Sequence, residues 1–289
     1  DPQISVKKKL VNEKFQYIPG TKMPLPSEVE ISESGTCNRK CSFCPRSDPN
    51  YLDIKEFIKP SLHDKLHKEL EELNFSGTVR YSGFVEPLLD KNIYNLLKKA
   101  RVINPKVNLE MVTNGDVLNP SRLIKLFNSG LNRLFISVYD GPKDIKKFIK
   151  IRSKTQLNDK QVVIRDRSFP SEKDFGITIS NRAGMLENAE HALMPLKKKM
   201  EHPCYYPSYT FFMDYNGDVL MCAHDWGKKR ILGNLKKQSF LEIWISQLAK
   251  ISRKKLNNSD RGFSPCNVCD VHGTLIGKKH SKAWNEILS

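Results

Sequence analysis

At 289 residues, with 39% hydrophobic and 28% charged residues, the chain can bury one sizeable core and a smaller second one, which excludes an intrinsically disordered protein. No uninterrupted apolar run approaches the roughly 18 to 20 residues of a membrane-spanning helix, and the Asp1-Pro2-Gln3 start has no signal-peptide apolar region; a cytosolic setting without a membrane partner is expected. The net charge of +16 arises from 48 basic and 32 acidic residues, and suits either a Lys-rich solvated surface or an anionic small-molecule partner. The basic runs Lys7-Lys8-Lys9, Lys197-Lys198-Lys199 and Lys228-Lys229-Arg230 lack interleaved aromatics, which disfavours nucleic acid.

Residues 1–27 read as an irregular lead-in, because Pro19-Gly20, Pro24 and Pro26 break helical continuity. A regular alternation follows. Val29-Glu30-Ile31 predicts a strand entering a cysteine loop, and Leu62, Leu66, Leu70 and Leu73 predict a helix. Thr78 to Tyr81 is the next strand, Ile93, Leu96 and Leu97 mark a helix, and Val107 to Val112 a third strand. Leu123, Ile124 and Phe127 give a helix closing at Gly130; Leu134 to Val138 is a fourth strand, and Ile145, Phe148 and Ile149 a fourth helix. Val162-Val163-Ile164 is a fifth strand and Ile177-Thr178-Ile179 a candidate sixth. Strand-helix units of this length imply parallel strands joined by right-handed crossovers. Five or six units fall short of the eight of a closed barrel, so the fold class is α/β, a partial (β/α) barrel over residues 28–184. Beyond it, over 185–289, hairpin chemistry at Tyr215-Asn216-Gly217-Asp218 and one helix around Ser239 to Ala249 predict a small α+β domain bearing cysteines.

Seven cysteines, an odd number, argue against a disulfide framework and for metal. Cys37, Cys41 and Cys44 lie within eight residues, with no fourth Cys or His nearby; the closest His is His63. Zinc wants four ligands, whereas three thiolates suit a four-iron cluster that leaves one iron open. Cys204, Cys222, Cys266 and Cys269 form a second group, ending in a C-x2-C. Four thiolates fit either a closed zinc site or a fully ligated four-iron cluster, and spacing does not choose between them.

The C-x3-C-x2-C loop, with aromatic Phe43 before its last cysteine, resembles the signature of radical S-adenosylmethionine (SAM) enzymes. The resemblance implies that the open iron chelates the amino and carboxylate groups of SAM, whose reductive cleavage yields a 5′-deoxyadenosyl radical, with a flavodoxin- or ferredoxin-like protein as reductant. Tyr81-Ser82-Gly83-Phe84-Val85-Glu86-Pro87 looks like the family's Gly-Glu-Pro segment, which gives Glu86 the methionine amino group. Thr113-Asn114-Gly115 and Ser137 resemble ribose or carboxylate contacts, and Arg165 or Arg167 could pair with the SAM carboxylate. All sit at C-terminal strand ends, where barrel-type sites assemble. Around the second group, Gly217 to Cys222, Leu232-Gly233-Asn234-Leu235, Glu242-Ile243-Trp244 and the closing C-x2-C look like the shortened auxiliary-cluster domain called twitch, a reduced SPASM domain; this favours a second [4Fe–4S] cluster on Cys204, Cys222, Cys266 and Cys269.

All seven cysteines are then ligands, and no thiol remains to return a hydrogen atom. Oxidation of the substrate radical is the outcome implied: hydrogen abstraction, proton loss, and electron transfer to the auxiliary cluster. The spacing resembles twitch dehydrogenases that oxidise a secondary alcohol of an aminocyclitol, so a carbohydrate-like, conceivably phosphorylated alcohol is the expected substrate. Asp166, Arg182 and His224 are the candidate catalytic groups. Two alternatives stand beside it: a radical SAM peptide-modifying maturase, against which the short lead-in weighs, and a non-catalytic electron carrier, which would not need Glu86.

Overall fold

The computed structural model describes residues 2–167, 179–188 and 193–288. Its centre is an eight-stranded, mostly parallel sheet flanked by helices on its outer face. Strands β1 (Glu28–Ser32), β4 (Thr78–Tyr81), β5 (Asn108–Thr113), β6 (Arg133–Val138) and β7 (Val162–Asp166) pair in parallel and in that order. The crossovers are α2 (Pro60–Glu72), α3 (Ile93–Ile103), α4 (Pro120–Asn128) and α5 (Pro142–Ser153). Each strand-helix unit thus falls where the periodicity puts it.

The sheet is two-faced, as its pleat requires. Val29, Ile31, Val79, Tyr81, Leu109, Met111, Leu134 and Ile136 point outward into the helical core with Leu66, Leu70, Leu96, Leu97 and Leu123. Alternate residues turn to the concave face: Glu28, Glu30, Arg80, Ser82, Glu110, Phe135 and Ser137, all buried. A polar lining on a buried concave face is the mark of a site rather than a core.

Three expectations are corrected, and a fourth lies largely outside the described residues. The lead-in is not wholly irregular, since Pro2–Glu13 forms helix α1: the three lysines and their neighbours contain no breaker before Pro19, and Val11 is buried against Tyr209 and Ile276. The cysteine loop does not leave β1 directly; β2 (Ser34–Gly35) pairs with β3 (Ile54–Phe57), so the cysteines sit in a long hairpin excursion. The candidate strand at Ile177-Thr178-Ile179 falls largely outside the described residues; among those described, a sixth parallel strand is β8 (Thr210–Asp214), which pairs with the opposite edge, beside β1. The predicted helix around Ser239 to Ala249 is two, α7 (Phe240–Trp244) and α8 (Gln247–Asn257), because Ser246 stops the first and caps the second by accepting from the Ala249 N–H.

The hairpin at Asn216-Gly217 is present: β8 turns into β9 (Asp218–Leu220), with Gly217 at φ 88°, and β10 (Ile231–Asn234) completes the sheet. α6 (Tyr206–Tyr209) precedes β8, and α9 (Lys278–Leu288) closes the chain. No helix is long and apolar enough to cross a membrane among the described residues.

Candidate active site

The first cysteine loop is held at the C-terminal ends of β4, β5 and β6. Its turn closes with the Cys44 N–H donating to the Cys41 carbonyl at 2.9 Å. Arg46, nearly buried, donates to the carbonyls of Gly35 and Phe84 and to Asp53, tying the loop's exit to β2 and to the segment after β4. Asn114 Nδ2 approaches Cys37 Sγ at 3.9 Å and donates to Asn38 Oδ1 at 2.9 Å. Phe43 packs on Tyr139 with ring centroids 5.1 Å apart. Cys37, Cys41 and Cys44 are all partly buried.

Glu86 sits behind this loop, fully enclosed. Its Oε1 accepts from the Leu88 N–H (3.1 Å) and the Thr113 hydroxyl (2.5 Å), and its Oε2 from the Asn114 N–H (2.7 Å). The carboxylate thus locks the end of β4 to the end of β5. A carboxylate has about four lone-pair positions, so one on Oε2 stays open for a further N–H donor. The positive φ in this segment falls at Gly83 (107°), where a side chain would meet the Phe212 ring, while Val85 is not among the positive-φ residues. Burial raises Glu86 to about 7 against the three hydrogen bonds that favour its charge. The ionised form is the better acceptor for an amino N–H, so where Glu86 holds the amino group of SAM, binding should tighten as the pH rises from 6 to 8, flattening above about 7; titrating SAM at several pH values checks this, and Glu86→Gln should abolish the dependence.

Further round, Arg165 on β7 donates to the Ser137 hydroxyl on β6 at 3.2 Å, which joins two predicted contacts in one buried pair. Asp166 ends β7 in register with Val138, and Arg167 continues from it, its N–H donating to the Val138 carbonyl at 2.7 Å. These groups share one rim with Thr113 and Asn114.

The second group assembles from three segments: Cys204, Cys222, and the Cys266-to-Cys269 turn. Cys204, Cys222, Cys266 and Cys269 line one cavity together with Tyr206, His224, Asp225, Arg261 and Val271. Burial pushes all four thiols up, Cys269 to about 12, so they would ionise only against a bound cationic centre. Arg261, which the sequence did not single out, supplies one cation: it is buried beneath the cavity and donates to the carbonyls of His202, Pro203, Val271 and His272. Among the described residues no three Cys, His, Asp or Glu side chains converge as they would around a single ion. A four-iron cluster spreads its thiolates over separate irons, so a quartet around one cavity fits it better than tetrahedral zinc. Gly273, at φ 77°, lies so close that a Cβ there would strike Cys204 Sγ.

Phe84, Phe212, Leu220 and Trp226 form a separate buried apolar cluster, against which Cys44 of the first group, Tyr51, and Ala223, the residue after Cys222, are packed. Arg182 is in the left-handed region (φ 50°), followed by Ala183 (53°) and Gly184 (85°). Three consecutive positive φ values are costly for non-glycine residues and mark a constrained site. Among the described residues its buried Nε has no partner, while its charge is felt by Cys44, His224 and Asp270. His224 takes Ser180 at 3.2 Å and stands edge-on to Tyr206. Burial, with Arg182 and Lys7 adding to it, lowers His224 to about 3 and keeps its ring neutral. Asp225, by contrast, is absorbed in holding the N–H groups of Lys229 and Arg230.

Sequence reasoning missed Glu30. It reaches the concave face with Ser82 as its hydrogen-bond donor at 2.6 Å, and its strand alternation with Val29 and Ile31 was the available signal. It also missed Lys7, which brings α1 to this face by pairing with Glu28 at 2.6 Å.

An open parallel barrel with a three-cysteine loop at its strand ends and a second cysteine quartet against its rim defines a cluster-bearing radical enzyme. The radical SAM superfamily model matches residues 31–158, and the SPASM model, an iron-sulfur cluster-binding domain, matches residues 204–270. The chain is 30% identical over 245 residues to the S-adenosyl-L-methionine-dependent 2-deoxy-scyllo-inosamine dehydrogenase of Niallia circulans, covering 84% of this chain and 92% of that one. It superposes on the crystal structure of BtrN in complex with AdoMet and 2-DOIA with a TM-score of 0.74 and 28% identity, covering 89% of this chain and 98% of the other. The structure of anSMEcpe with bound AdoMet shares the fold, at a TM-score of 0.55 and 15% identity over 90% of this chain and 96% of that one. The chain belongs to the radical SAM superfamily. It is an oxidoreductase of that family, working with SAM and two [4Fe–4S] clusters.

Proposed function

We propose that the protein oxidises a secondary alcohol of an aminocyclitol or a similar small polyol to the ketone. The observation that carries this reading is the pairing of a three-cysteine loop at the strand ends with a four-cysteine cavity, in a chain similar over most of its length to an inosamine dehydrogenase. The division it implies is a partial barrel over 28–184 and an auxiliary-cluster domain over 185–289.

Cys37, Cys41 and Cys44 would hold the SAM-binding cluster, and Cys204, Cys222, Cys266 and Cys269 the auxiliary one. When bound, these groups supply an oxidant that takes one hydrogen atom from the substrate and an acceptor for one electron. The remaining loss is a proton, which the chain must carry. Glu86 would orient the SAM amino group, Thr113 and Asn114 hold Glu86, and the Arg165–Ser137 pair with Arg167 would face the SAM carboxylate and ribose; Phe43 packs alongside. Arg182 offers its free Nε–H to the substrate oxygen. The carboxylate of Asp166 is the acceptor for the departing proton, since a carbon radical beside a hydroxyl is far more acidic than the parent alcohol, whereas His224, which burial holds neutral at about 3, is a poor base and is left as a substrate contact. The concave-face carboxylates, Glu30 foremost, suit a substrate that bears hydroxyl and ammonium groups. A flavodoxin- or ferredoxin-like protein would deliver the electron that starts turnover.

Anaerobic incubation of the reconstituted, reduced protein with SAM and 2-deoxy-scyllo-inosamine should release 5′-deoxyadenosine and a cyclitol ketone in equal amounts. Deuterium at the oxidised carbon should appear in the 5′-deoxyadenosine. Release of 5′-deoxyadenosine with no oxidised cyclitol would defeat the substrate reading while leaving the family assignment intact.

A further inference from the structure

The three residues between Cys37 and Cys41 ligate nothing, yet two of them make the densest polar contacts of the site. Arg39 Nε and Nη2 grip both oxygens of Asp116, at 2.8 and 2.6 Å, and Nη2 also reaches Asp140 Oδ2 at 2.6 Å. Asn38 Nδ2 adds a further bond to Asp116 at 2.7 Å, and Asn38 Oδ1 accepts from Asn114. Asp116 follows the Thr113-Asn114-Gly115 turn that ends β5; Asp140 follows Val138-Tyr139 at the end of β6. The guanidinium lies 5.6 Å from the Tyr139 ring centroid, and that ring packs on Phe43. A closed circuit results, running from Arg39 through Tyr139 and Phe43 to Cys44 and back along the loop.

We propose that Arg39 is a positioning residue that fixes the SAM-binding cysteine loop in register with the ends of β5 and β6. SAM must touch the loop's cluster and these strand ends at once, so its affinity depends on their relative placement. A planar guanidinium suits the task, because its fork takes a carboxylate bidentately and still has a donor for a second one. Without it, two carboxylates would face each other beside a thiolate-held cluster and would drive the loop away from the strand ends. Arg39 is 20% exposed and Asp116 28%, so the pair adds little to global stability; its effect is local.

Arg39→Gln, Arg39→Lys and Asp140→Asn, each reconstituted with iron and sulfide, test this. In Arg39→Gln the iron content and thermal midpoint should match the parent, while the SAM dissociation constant, read from the SAM-induced change in the electron paramagnetic resonance signal of the reduced cluster, should rise about tenfold. The cluster's midpoint potential should become more negative, since a neighbouring cation is lost. Arg39→Lys should recover part of the affinity, keeping charge without the fork, and Asp140→Asn should cost less than Arg39→Gln because the Asp116 grip remains. An unchanged SAM affinity and unchanged spectrum in Arg39→Gln would overturn the proposal. So would loss of about half the iron, which would make Arg39 a residue of cluster assembly instead. Neither readout depends on the identity of the alcohol substrate.

Discussion

Cys41→Ala should reduce 5′-deoxyadenosine formation by more than about 100-fold, since loss of a direct ligand exceeds the 10- to 100-fold that removal of an outer partner costs. Cys269→Ala should leave 5′-deoxyadenosine release near the parent level and abolish the ketone. The contrast follows from geometry. Cys41 lies on the hairpin excursion tied to the ends of β5 and β6, whereas Cys269 lies in the cavity that all four cysteines of the second group line. The measurement is product analysis by mass spectrometry, paired with iron counts of about four in each variant against about eight in the parent. A Cys269→Ala protein that still makes ketone would remove the auxiliary group from the reaction.

The second large effect is on stability. Arg80, buried on the concave face, holds Glu28 Oε2 at 2.6 Å and Glu110 Oε2 at 2.8 Å; Lys7 and Arg133 take the remaining oxygens of the same two carboxylates. Burial by itself would raise Glu28, yet Arg80 and Lys7 outweigh it and hold the carboxyl below its ordinary value. Replacing Arg80 by Leu leaves two carboxylates in the barrel with half their partners gone, at a cost of about 3 to 5 kcal/mol. The midpoint of chemical denaturation should fall accordingly. Because Glu28 is depressed in the folded state, its contribution is present above the unfolded carboxyl value and fades as the pH drops below it, so the gap between parent and variant should narrow on acidification.

Much of the architecture could be read before any coordinates, for a physical reason. A strand covered by helices on one face needs apolar residues at every second position, and its crossover helix needs them at every third or fourth, so Val29, Ile31, Leu62, Leu66, Leu96, Leu97 and their successors announce their own elements. The cysteine trio was legible because its chemistry demands close spacing along one loop. The lead-in was misread because proline at 19, 24 and 26 dominated the reading, while α1 owes its place to burial of Val11 and to the Lys7–Glu28 pair, both long-range. Arg39 lay in plain view inside the motif; its partners, Asp116 and Asp140, are 77 and 101 residues away.

The sequence by itself determined the unit alternation, the two cysteine groups and the acidic residue after the second parallel strand, since these rest on local periodicity and on ligand chemistry. Only the tertiary structure decided that β8 pairs with β1 at the edge opposite β7, that Cys204, Cys222, Cys266 and Cys269 enclose one cavity above Arg261, and that Arg182 and His224 meet at its edge. Hydrophobic periodicity tells a strand which face to bury and says nothing about its neighbour. Neighbours are chosen by the packing of the whole sheet, and at this site packing brings three cysteine-bearing segments from across the last third of the chain to a single cavity.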